Sequence, residues 1–240
     1  MNFAIIGAGE SSRIKAEGLN TPKHLIKLGD EYLIERIIRI ASENGADVIS
    51  CIINENEPEL KEYLQSNKFS VPVKCIVKNT PSSMHSLFAL SPHLTNGPFC
   101  LATTDSVFLE NEFSDFINYC SSNKDVDGTL AVTQFIDDEK PLCVDLDNQN
   151  NITKFSDVKN GFSWATGGIY YFSPKIFEEM TFALETGITR LRNFLRLLID
   201  NDYKLKAFPF SKIIDVDHVN DIKIAEEFLS DHSAKNQERK

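Results

Sequence analysis

The chain lacks any segment that could cross a membrane as a helix. Such a helix needs roughly 18 to 20 consecutive apolar residues, and no run of that length occurs in the 240 residues. The first residues lead straight into an apolar strand pattern with no basic leader before them, which argues against a signal peptide. The sequence therefore predicts a protein without a membrane partner.

Cysteine is scarce and shows neither a metal pattern nor a disulfide pattern. The chain has 5 cysteines, an odd number, and at least three lie inside apolar, strand-like runs. No two of them form a Cys-x-x-Cys motif; they are Cys51, Cys75, Cys100, Cys120 and Cys143. This pattern predicts buried free thiols in a reducing compartment, and therefore a cytoplasmic protein without a disulfide framework or a zinc site.

Positive charge is also in short supply. The formal net charge is −10, so no general basic surface exists to displace the counterions of a nucleic acid, and no nucleic-acid partner is expected. The N-terminal segment differs, because residues 1–28 carry four basic side chains, Arg13, Lys15, Lys23 and Lys27, against two acidic ones. A basic segment on an acidic protein indicates either a small anionic ligand or ordinary surface charge.

Strand-like and helix-like apolar patterns alternate through the first half of the chain. Strands are predicted at 2–6, 47–53, 73–77, 99–104 and 128–133, with helices at 31–45, 57–67, 82–94 and 111–123. Such alternation is typical of a mostly parallel sheet covered by helices on both faces, so the predicted fold class is α/β, with a three-layer α/β/α, Rossmann-like architecture. Ligands bind such sheets at the carboxyl ends of the strands, where Gly7 and Asp105 fall.

The second half of the chain changes character. Two strands joined by a polar turn are predicted over 142–155, followed by a strand over 164–174. Helices are then predicted over 174–187 and 189–202, strands at 204–210 and 213–216, and a closing helix over 219–232. Residues 233–240 are polar, and fraying is expected there. No repeat, low-complexity block or linker divides the chain, so one domain over 1–240 is predicted.

The glycine-containing loop after the first strand excludes two common nucleotide motifs. The dinucleotide fingerprint G-x-G-x-x-G requires a third glycine, and this chain has Ser12 there. The fingerprint also opens a helix, whereas here the sequence predicts a long basic loop directly after the glycines. The Walker A sequence G-K-S/T is absent. An NAD-dependent oxidoreductase and a P-loop enzyme are therefore both disfavoured.

The same loop resembles a third motif. The sequence G-A-G-E-S-S-R followed by T-P-K-H-L-I-K-L-G resembles the signature of the sugar nucleotidyltransferases, G-x-G-x-S/T-R and then P-K, with Ser11 in the usual serine place and Ser12 shifted by one. The resemblance implies that Arg13 and Lys23 are catalytic. It also implies a set of nucleotide-binding residues, which are Gly7, Ala8, Gly9 and Ser12.

Physical chemistry supports these roles. Glycines let backbone N–H groups approach phosphate oxygens. Arg13 offers a planar fork for a triphosphate, and Lys23 adds a point charge on the α-phosphate. The alternative is that Arg13 and Lys23 are solvated surface charges.

Two carboxylates complete the resemblance. Mg²⁺ typically takes one or two carboxylates. Asp105 follows an apolar strand at the family's metal-binding position, although Thr104 stands where the family usually has glycine. The segment I-I-D-V-D-H-V-N-D resembles the family's late D-x-D-x-x-x-D, which implies Asp217 as the second magnesium ligand, with Asp215 as the near alternative. Asp221 is expected to begin a helix. For Asp105 or Asp217 considered alone, a turn or cap role explains the residue about as well as a metal-ligand role does.

The remaining matches are weaker. The segment I-T-K-F-S-D-V-K-N-G-F-S-W-A-T-G-G-I-Y-Y-F resembles the family's F-x-E-K-P and A-x-x-G-I-Y-x-F regions without the E-K-P itself. It implies that Lys159 and Gly168 bind the acceptor; a turn lysine and a β-bulge are the alternatives. N-T-P-S-S-M-H-S-L lies where the family reads the base and resembles a phosphocholine cytidylyltransferase segment. There, Ser82, Ser83 and Ser86 would contact base or ribose, or simply cap and face a helix.

The resemblance implies a GT-A-like, Mg²⁺-dependent enzyme that moves a nucleoside monophosphate from an NTP onto a sugar 1-phosphate and releases pyrophosphate. Its partners would be an NTP and a phosphorylated small-molecule acceptor; family members are commonly oligomeric, but the sequence shows no signature of a homo-oligomer. It implies a nucleotide-binding portion (1–135), an acceptor-binding portion (136–212) and a metal-ligand strand with the closing helix (213–240). Three alternatives stay open: a cytidylyltransferase for an alcohol phosphate such as phosphocholine, a GT-A glycosyltransferase, and a catalytically silent nucleotide-sensing module.

Overall fold

The computed structural model describes residues 1–7, 12–136 and 139–237. Its strands there are β1 (Asn2–Gly7), β2 (Lys27–Leu28), β3 (Glu31–Tyr32), β4 (Val48–Ile53), β5 (Val73–Val77), β6 (Phe99–Thr103), β7 (Ser106–Val107), β8 (Gly128–Thr133), β9 (Cys143–Leu146), β10 (Ile152–Ser156), β11 (Trp164–Phe172), β12 (Leu205–Phe210) and β13 (Ile214–Asp215). Its α-helices are α1 (Ser12–Ala16), α2 (Leu33–Glu43), α3 (Pro58–Ser66), α4 (Ser83–Leu90), α5 (Glu110–Ser122), α6 (Met180–Glu185), α7 (Leu191–Asp200) and α8 (Val219–Gln237). Short 3₁₀ helices span Lys23–Leu25, Ser91–His93 and Pro174–Glu179.

A mixed central sheet organises the chain. Its strand order is β10-β9-β11-β6-β1-β4-β5, and β8 pairs with both β11 and β12. The strands β6, β1, β4 and β5 run parallel to one another, as β8 and β12 do, whereas β11 is antiparallel to β6, β8 and β9. The carboxyl ends of the four parallel strands therefore meet at one edge of the sheet, and this edge is where a ligand is expected to bind.

The sheet has a buried core on each face. Alternate residues of a strand point to opposite faces, so Ala4 and Ile6 of β1 pack into one core, with α4 and α7, while Phe3 and Ile5 pack into the other, with α2, α3 and α5. Phenylalanine rings of the second core pack against one another, with neighbouring ring centroids 5.3 to 6.2 Å apart. Helices on both faces of a mixed, mostly parallel sheet confirm the predicted three-layer α/β/α class.

Several local predictions need correction. The helix α1 begins at Ser12, where a long loop without an immediate helix was expected; it has 5 residues. Residues Pro174–Glu179 form a 3₁₀ helix before α6, rather than the first turns of one α-helix. The closing helix α8 continues to Gln237, into the tail where fraying was expected. Ser82 stands at the N-cap of α4, yet its side chain makes no cap hydrogen bond.

Two strands of two residues each bring the late part of the chain to the sheet edge. In the antiparallel pair of β7 and β13, Ser106 lies opposite Asp215, and the N–H of Val216 donates to the carbonyl of Asp105 at 3.0 Å. This pairing places the aspartates after residue 214 beside the end of β6. It was not predicted, because two residues are too few to show a strand period.

The structure confirms that the cysteines are free thiols and that most of them are buried. All five thiols are free; Cys51, Cys100, Cys120 and Cys143 are buried, and Cys75 is half-buried. Burial raises the pKa of the Cys51 and Cys100 thiols, so their reactive thiolate forms are disfavoured. Over the described ranges, no helix combines the length and the hydropathy needed to span a bilayer.

Candidate active site

Lys23 lies between two aspartates at the carboxyl edge of the central sheet. Its Nζ is 2.6 Å from Oδ2 of Asp105 and 2.5 Å from Oδ1 of Asp217. Arg13 forms a further ion pair with Oδ2 of Asp217. Four charged side chains that are distant in sequence therefore meet at one point. They are the residues that the sequence predicted as catalytic and as metal ligands.

Local structure explains why they converge. Lys23 begins a 3₁₀ helix after Pro22, Asp105 follows β6, and Asp217 follows β13. Asp221 then fixes the entry into α8, because its Oδ2 accepts hydrogen bonds from the N–H of Asp217 at 2.9 Å and of His218 at 2.7 Å. As predicted, Asp221 lies in the first turn of a helix, where the positive end of the helix dipole favours a carboxylate.

The ion pairs determine the charge states at this point. Burial disfavours the charged form of Lys23, but the two carboxylates outweigh it and raise the pKa of Lys23 above its usual value. Burial also opposes ionisation of Asp105, yet the Lys23 ammonium prevails and lowers the pKa of that carboxyl. For Asp215, burial and the nearby charge of Asp105 raise the pKa. Asp105 is thus ionised opposite Lys23, whereas ionisation of Asp215 is disfavoured.

Asp217 is better placed than Asp215 to act together with Asp105. Both Asp105 and Asp217 contact Lys23. Asp215 instead accepts a hydrogen bond from the hydroxyl of Ser106 at 3.0 Å. The geometry therefore favours Asp217 over Asp215, the alternative that the sequence left open.

A cleft of about 770 Å³ extends from Lys23 over the ends of the parallel strands. Besides the charged cluster, amides and hydroxyls contribute much of its lining; those that follow β4 or belong to the segment before and in α4 are Asn54, Asn56, Asn79, Thr80, Ser82, Ser83 and Ser86. The three serines predicted to contact base or ribose all belong to this lining. A large, polar cleft that ends in a cluster of charges suits a molecule with a polar body and an anionic end.

A second, smaller pocket of about 70 Å³ lies on the other side of the charged cluster. Arg13 and Asp217 line both cavities, so two ligands could meet at these side chains. The smaller pocket is rich in carboxylates; those that line it are Glu139, Asp215, Asp217 and Asp221. The ring of Phe135 and the side chain of His218 also line it.

The other residues of the predicted nucleotide and acceptor sites do not line either cavity among the described residues. Gly7 ends β1 and faces His24, because a Cβ added at Gly7 would lie 3.4 Å from Cε1 of that ring. Ala8 and Gly9 lie outside the described residues, as does the side chain of Ser12. Lys159 donates from Nζ to the carbonyl of Ile136 at 2.8 Å, and Ile136 lines the smaller pocket.

Gly168 lies behind Asp215 rather than in an open cavity. Its φ is +73°, and a Cβ there would lie 2.6 Å from both Oγ of Ser106 and Oγ1 of Thr103. These hydroxyls bond each other at 2.9 Å, and Ser106 continues to Asp215. The pairing of β11 with β8 changes register between Thr166 and Tyr170, so the bulge offered as an alternative is present. Contact between Gly168 and an acceptor stays a prediction.

The substitution Gly168→Ala is expected to destabilise the fold by about 2–4 kcal/mol, because it adds strain at a positive φ to an overlap with two hydroxyls. Urea unfolding would measure the change. Gly161→Ala is the matched control, since Gly161 has φ +85° and open space around its Cα; it should cost only about 1 kcal/mol. Equal losses in the two variants would contradict the packing argument.

Sequence reasoning missed several residues that line the large cleft. Asn54 and Asn56 follow β4, and Asn79 follows β5. They occupy the same strand-end position that singled out Gly7 and Asp105. Applying that rule to every predicted parallel strand, rather than to the two with recognisable motifs, would have found them. Thr104, which also lines the cleft, has the same position after β6, whereas His24 carries no such signal.

The charged cluster fits a hard divalent cation. Within the described ranges, no group of three or more His, Cys, Asp or Glu side chains is arranged to hold a metal ion. Mg²⁺, however, commonly uses one or two carboxylates and completes its shell with water and substrate phosphates. Asp105 and Asp217 already share one cation, the ammonium of Lys23, which marks a place where positive charge is stabilised.

Comparison with known proteins gives the family. A family model described as nucleotidyl transferase matches residues 4–232. The chain is 24% identical over 236 residues to the bifunctional protein GlmU of Methanocaldococcus jannaschii, covering 96% of this chain and 55% of that protein. It is 23% identical over 209 residues to the GlmU of Methanococcus aeolicus, covering 85% and 48% respectively. The chain thus spans about half the length of the curated relatives it matches.

Solved structures share the fold along most of their length. A structure described as a glucose-1-phosphate thymidylyltransferase from Bacillus anthracis superposes with a TM-score of 0.83 at 16% identity, covering 95% of this chain and 94% of that one. The inositol-1-phosphate CTP transferase from T. maritima gives a TM-score of 0.80 at 18% identity, with coverage of 94% and 93%. These likenesses concern the fold, and the family match confirms the resemblance found in the sequence: the chain belongs to the nucleotidyl transferase family, with the fold of the sugar nucleotidyltransferases.

Proposed function

We propose that this protein transfers a nucleoside monophosphate from an NTP to the phosphate of a sugar 1-phosphate and releases pyrophosphate. The observation that carries the proposal is the meeting of Arg13, Lys23, Asp105 and Asp217 between two cavities. The larger cavity would hold the NTP and the smaller one the acceptor. The α-phosphate would then lie at their junction.

The side chains at the junction suit this chemistry. Lys23 would move its ammonium from the two carboxylates to an oxygen of the α-phosphate and stabilise the charge that develops there. Arg13 would offer its planar guanidinium to the leaving pyrophosphate. The amides and hydroxyls of the large cleft would hold the base and ribose. Catalysis would consist mainly of positioning and charge neutralisation.

The acceptor needs no general base on the protein. A phosphomonoester has a second pKa of roughly 6 and is already mostly dianionic at neutral pH. Its oxygen can attack the α-phosphate in line while the bond to pyrophosphate breaks. The carboxylates of the smaller pocket, such as Glu139, would accept hydrogen bonds from hydroxyls of the acceptor.

We include Mg²⁺ in this proposal, with Asp105 and Asp217 as its protein ligands. When bound, the ion would neutralise phosphate charge at the reacting centre. The same two carboxylates also hold Lys23. Engagement of Lys23 by substrate would therefore free their oxygens. Lys159 and Gly168 remain predicted acceptor contacts, and a cytoplasmic location remains a prediction of the sequence. A homo-oligomer remains a possibility that rests only on the resemblance to the family.

An alcohol phosphate with a cationic head, such as phosphocholine, is the second candidate acceptor. The observation that favours it is the carboxylate-rich lining of the smaller pocket together with the ring of Phe135, because carboxylates and aromatic faces both attract quaternary ammonium groups. Against it, Nζ of Lys212 lies 3.9 Å from the centroid of that ring. The sugar phosphate is therefore preferred.

Pyrophosphate release is expected only when one particular NTP, Mg²⁺ and an acceptor are all present. Each of the four common NTPs would be tested against a mixed pool of sugar 1-phosphates and alcohol phosphates, and the active pool then divided. Release that requires both substrates supports the proposal, and the divided pool names the acceptor. NTP binding without release under any pairing would contradict it and favour the nucleotide-sensing module.

A further inference from the structure

Two links join the loop that carries Lys23 to the strand end that carries Asp105. The first is the ion pair between these two side chains, at 2.6 Å. The second joins their sequence neighbours: Nδ1 of His24 lies 2.5 Å from Oγ1 of Thr104. The links therefore run in parallel between the same two segments, but their surroundings differ.

The second link is remote from solvent. His24 is 3% exposed and Thr104 is also 3% exposed, whereas the side chain of Asp105 is 27% exposed. On its other side, Nε2 of His24 lies 3.3 Å from Oε2 of Glu57, which is also buried. The His24 ring also packs against Gly7. It therefore contacts residues at or after the ends of three parallel strands, β1, β4 and β6.

We propose that His24 is a positioning residue, which fixes the Lys23 loop against the Asp105 strand end through Thr104 and Glu57. The inference rests on the proposed nucleotidyl transfer. In that reaction Lys23 turns from the carboxylates towards phosphate, so the first link opens during each cycle. His24 and Thr104 line the same cleft but are almost fully buried, and in the proposal their link stays closed. It keeps the loop that carries Lys23 in place while the ammonium of that lysine moves.

The chemistry of the three groups sets the hydrogen-bond directions. Burial lowers the pKa of His24 to about 4, so the ring is neutral at pH 7. The proposal assigns the ring proton to Nε2, which faces Oε2 of Glu57 at 3.3 Å without a hydrogen bond in this structure, because an ionised carboxyl can only accept. Nδ1 then accepts from the hydroxyl of Thr104. Thr104 is thus the hydroxyl donor at the position where the family usually has glycine.

The test removes only the hydroxyl. Thr104→Val keeps the shape of the side chain, and kcat is expected to fall about tenfold, the effect of one lost hydrogen bond in a positioning role. The KM for the NTP should stay within about twofold of wild type. Thr104→Ser restores the donor and should recover kcat to within about twofold. Thermal unfolding of all variants checks that the fold is kept.

A double-variant cycle separates the link from general packing. His24→Gln alone removes the Nδ1 acceptor, so adding Thr104→Val to it should lower kcat no further. Unchanged kcat in Thr104→Val, equal losses in the valine and serine variants, or additive losses in the cycle would each overturn the proposal.

A spectroscopic readout keeps this inference separate from the proposed reaction. Histidine ¹⁵N spectra of the whole protein, with the His24 signal identified by its loss in His24→Gln, should show a neutral ring protonated at Nε2 at pH 7. The Nδ1 signal should shift in Thr104→Val and not in Thr104→Ser. A charged ring, or an Nδ1 signal indifferent to the hydroxyl, would overturn the link. Failure of wild-type turnover with every acceptor would count against the reaction alone.

Discussion

The substitution Lys23→Ala is expected to lower kcat for pyrophosphate release by about a hundred- to a thousandfold. Removing one preorganised group that stabilises transition-state charge has an effect of this size. Lys23 is the cation in contact with both Asp105 and Asp217, and it lines the large cleft. Initial rates at saturating NTP and acceptor would measure the loss. The KM for the NTP should rise much less than kcat falls.

The fold is expected to survive this change. Lys23 leaves behind two carboxylates whose side chains are 27% and 33% exposed, so water can reach them, and Arg13 still pairs with Asp217. Lys27→Ala provides the matched control, because Lys27 is an exposed lysine four positions later whose ammonium lies 5.1 Å from the ring centroid of Tyr32. Near-wild-type turnover in Lys23→Ala would refute the assigned role.

The charged cluster was accessible from sequence because two independent signals pointed to it. Arg13 and Lys23 belong to a recognisable motif, and Asp105 follows an apolar strand. The strand-end rule then places such residues at one edge of a parallel sheet. Asp217 was harder, because it reaches the cluster through the pairing of β7 with β13. That pairing depends on a contact between segments more than 100 residues apart, which no local pattern records.

The glycine at position 168 shows a different limit. A glycine inside a strand signals that something comes close to the backbone, and the sequence suggested an acceptor. The structure fills that space with the hydroxyls of Thr103 and Ser106. The close approach that the glycine indicated is present with groups of the protein itself, and contact between Gly168 and an acceptor remains a prediction. A single sequence gives no means of telling a ligand from a neighbouring strand.

His24 illustrates what local reasoning leaves out. Its neighbour Lys23 is in the motif, but His24 itself shows no pattern, and its contacts are at positions 57 and 104. Thr104 looked only like a departure from the family's usual glycine. The side chains of His24 and Thr104 form one buried hydrogen bond, so the threonine that stands in place of the family's glycine has a hydrogen-bonding partner. Such pairs become visible only when both segments are placed in space.

The substitution Asp105→Asn is expected to lower kcat by about a thousandfold, with the fold kept. The change preserves the shape of the side chain and removes its charge, so the proposed magnesium site loses one of two carboxylates and Lys23 loses one of its partners. Rates measured across a magnesium titration should show a much higher half-saturating concentration as well as the lower maximum. Asp115→Asn, at an exposed position on α5, is the charge-matched control and should behave as wild type.

The same titration decides between Asp217 and Asp215. Asp217 contacts Lys23 and Arg13, whereas Asp215 is bonded to Ser106, and its raised pKa favours the protonated form. A carboxyl with a raised pKa carries less negative charge at neutral pH, so its replacement by asparagine removes less charge. Asp217→Asn should therefore reproduce the loss seen in Asp105→Asn, and Asp215→Asn should retain far more activity. A larger loss of activity in Asp215→Asn than in Asp217→Asn would assign the second metal ligand to Asp215. Wild-type magnesium dependence in Asp105→Asn would contradict the assignment of Asp105 as the first ligand.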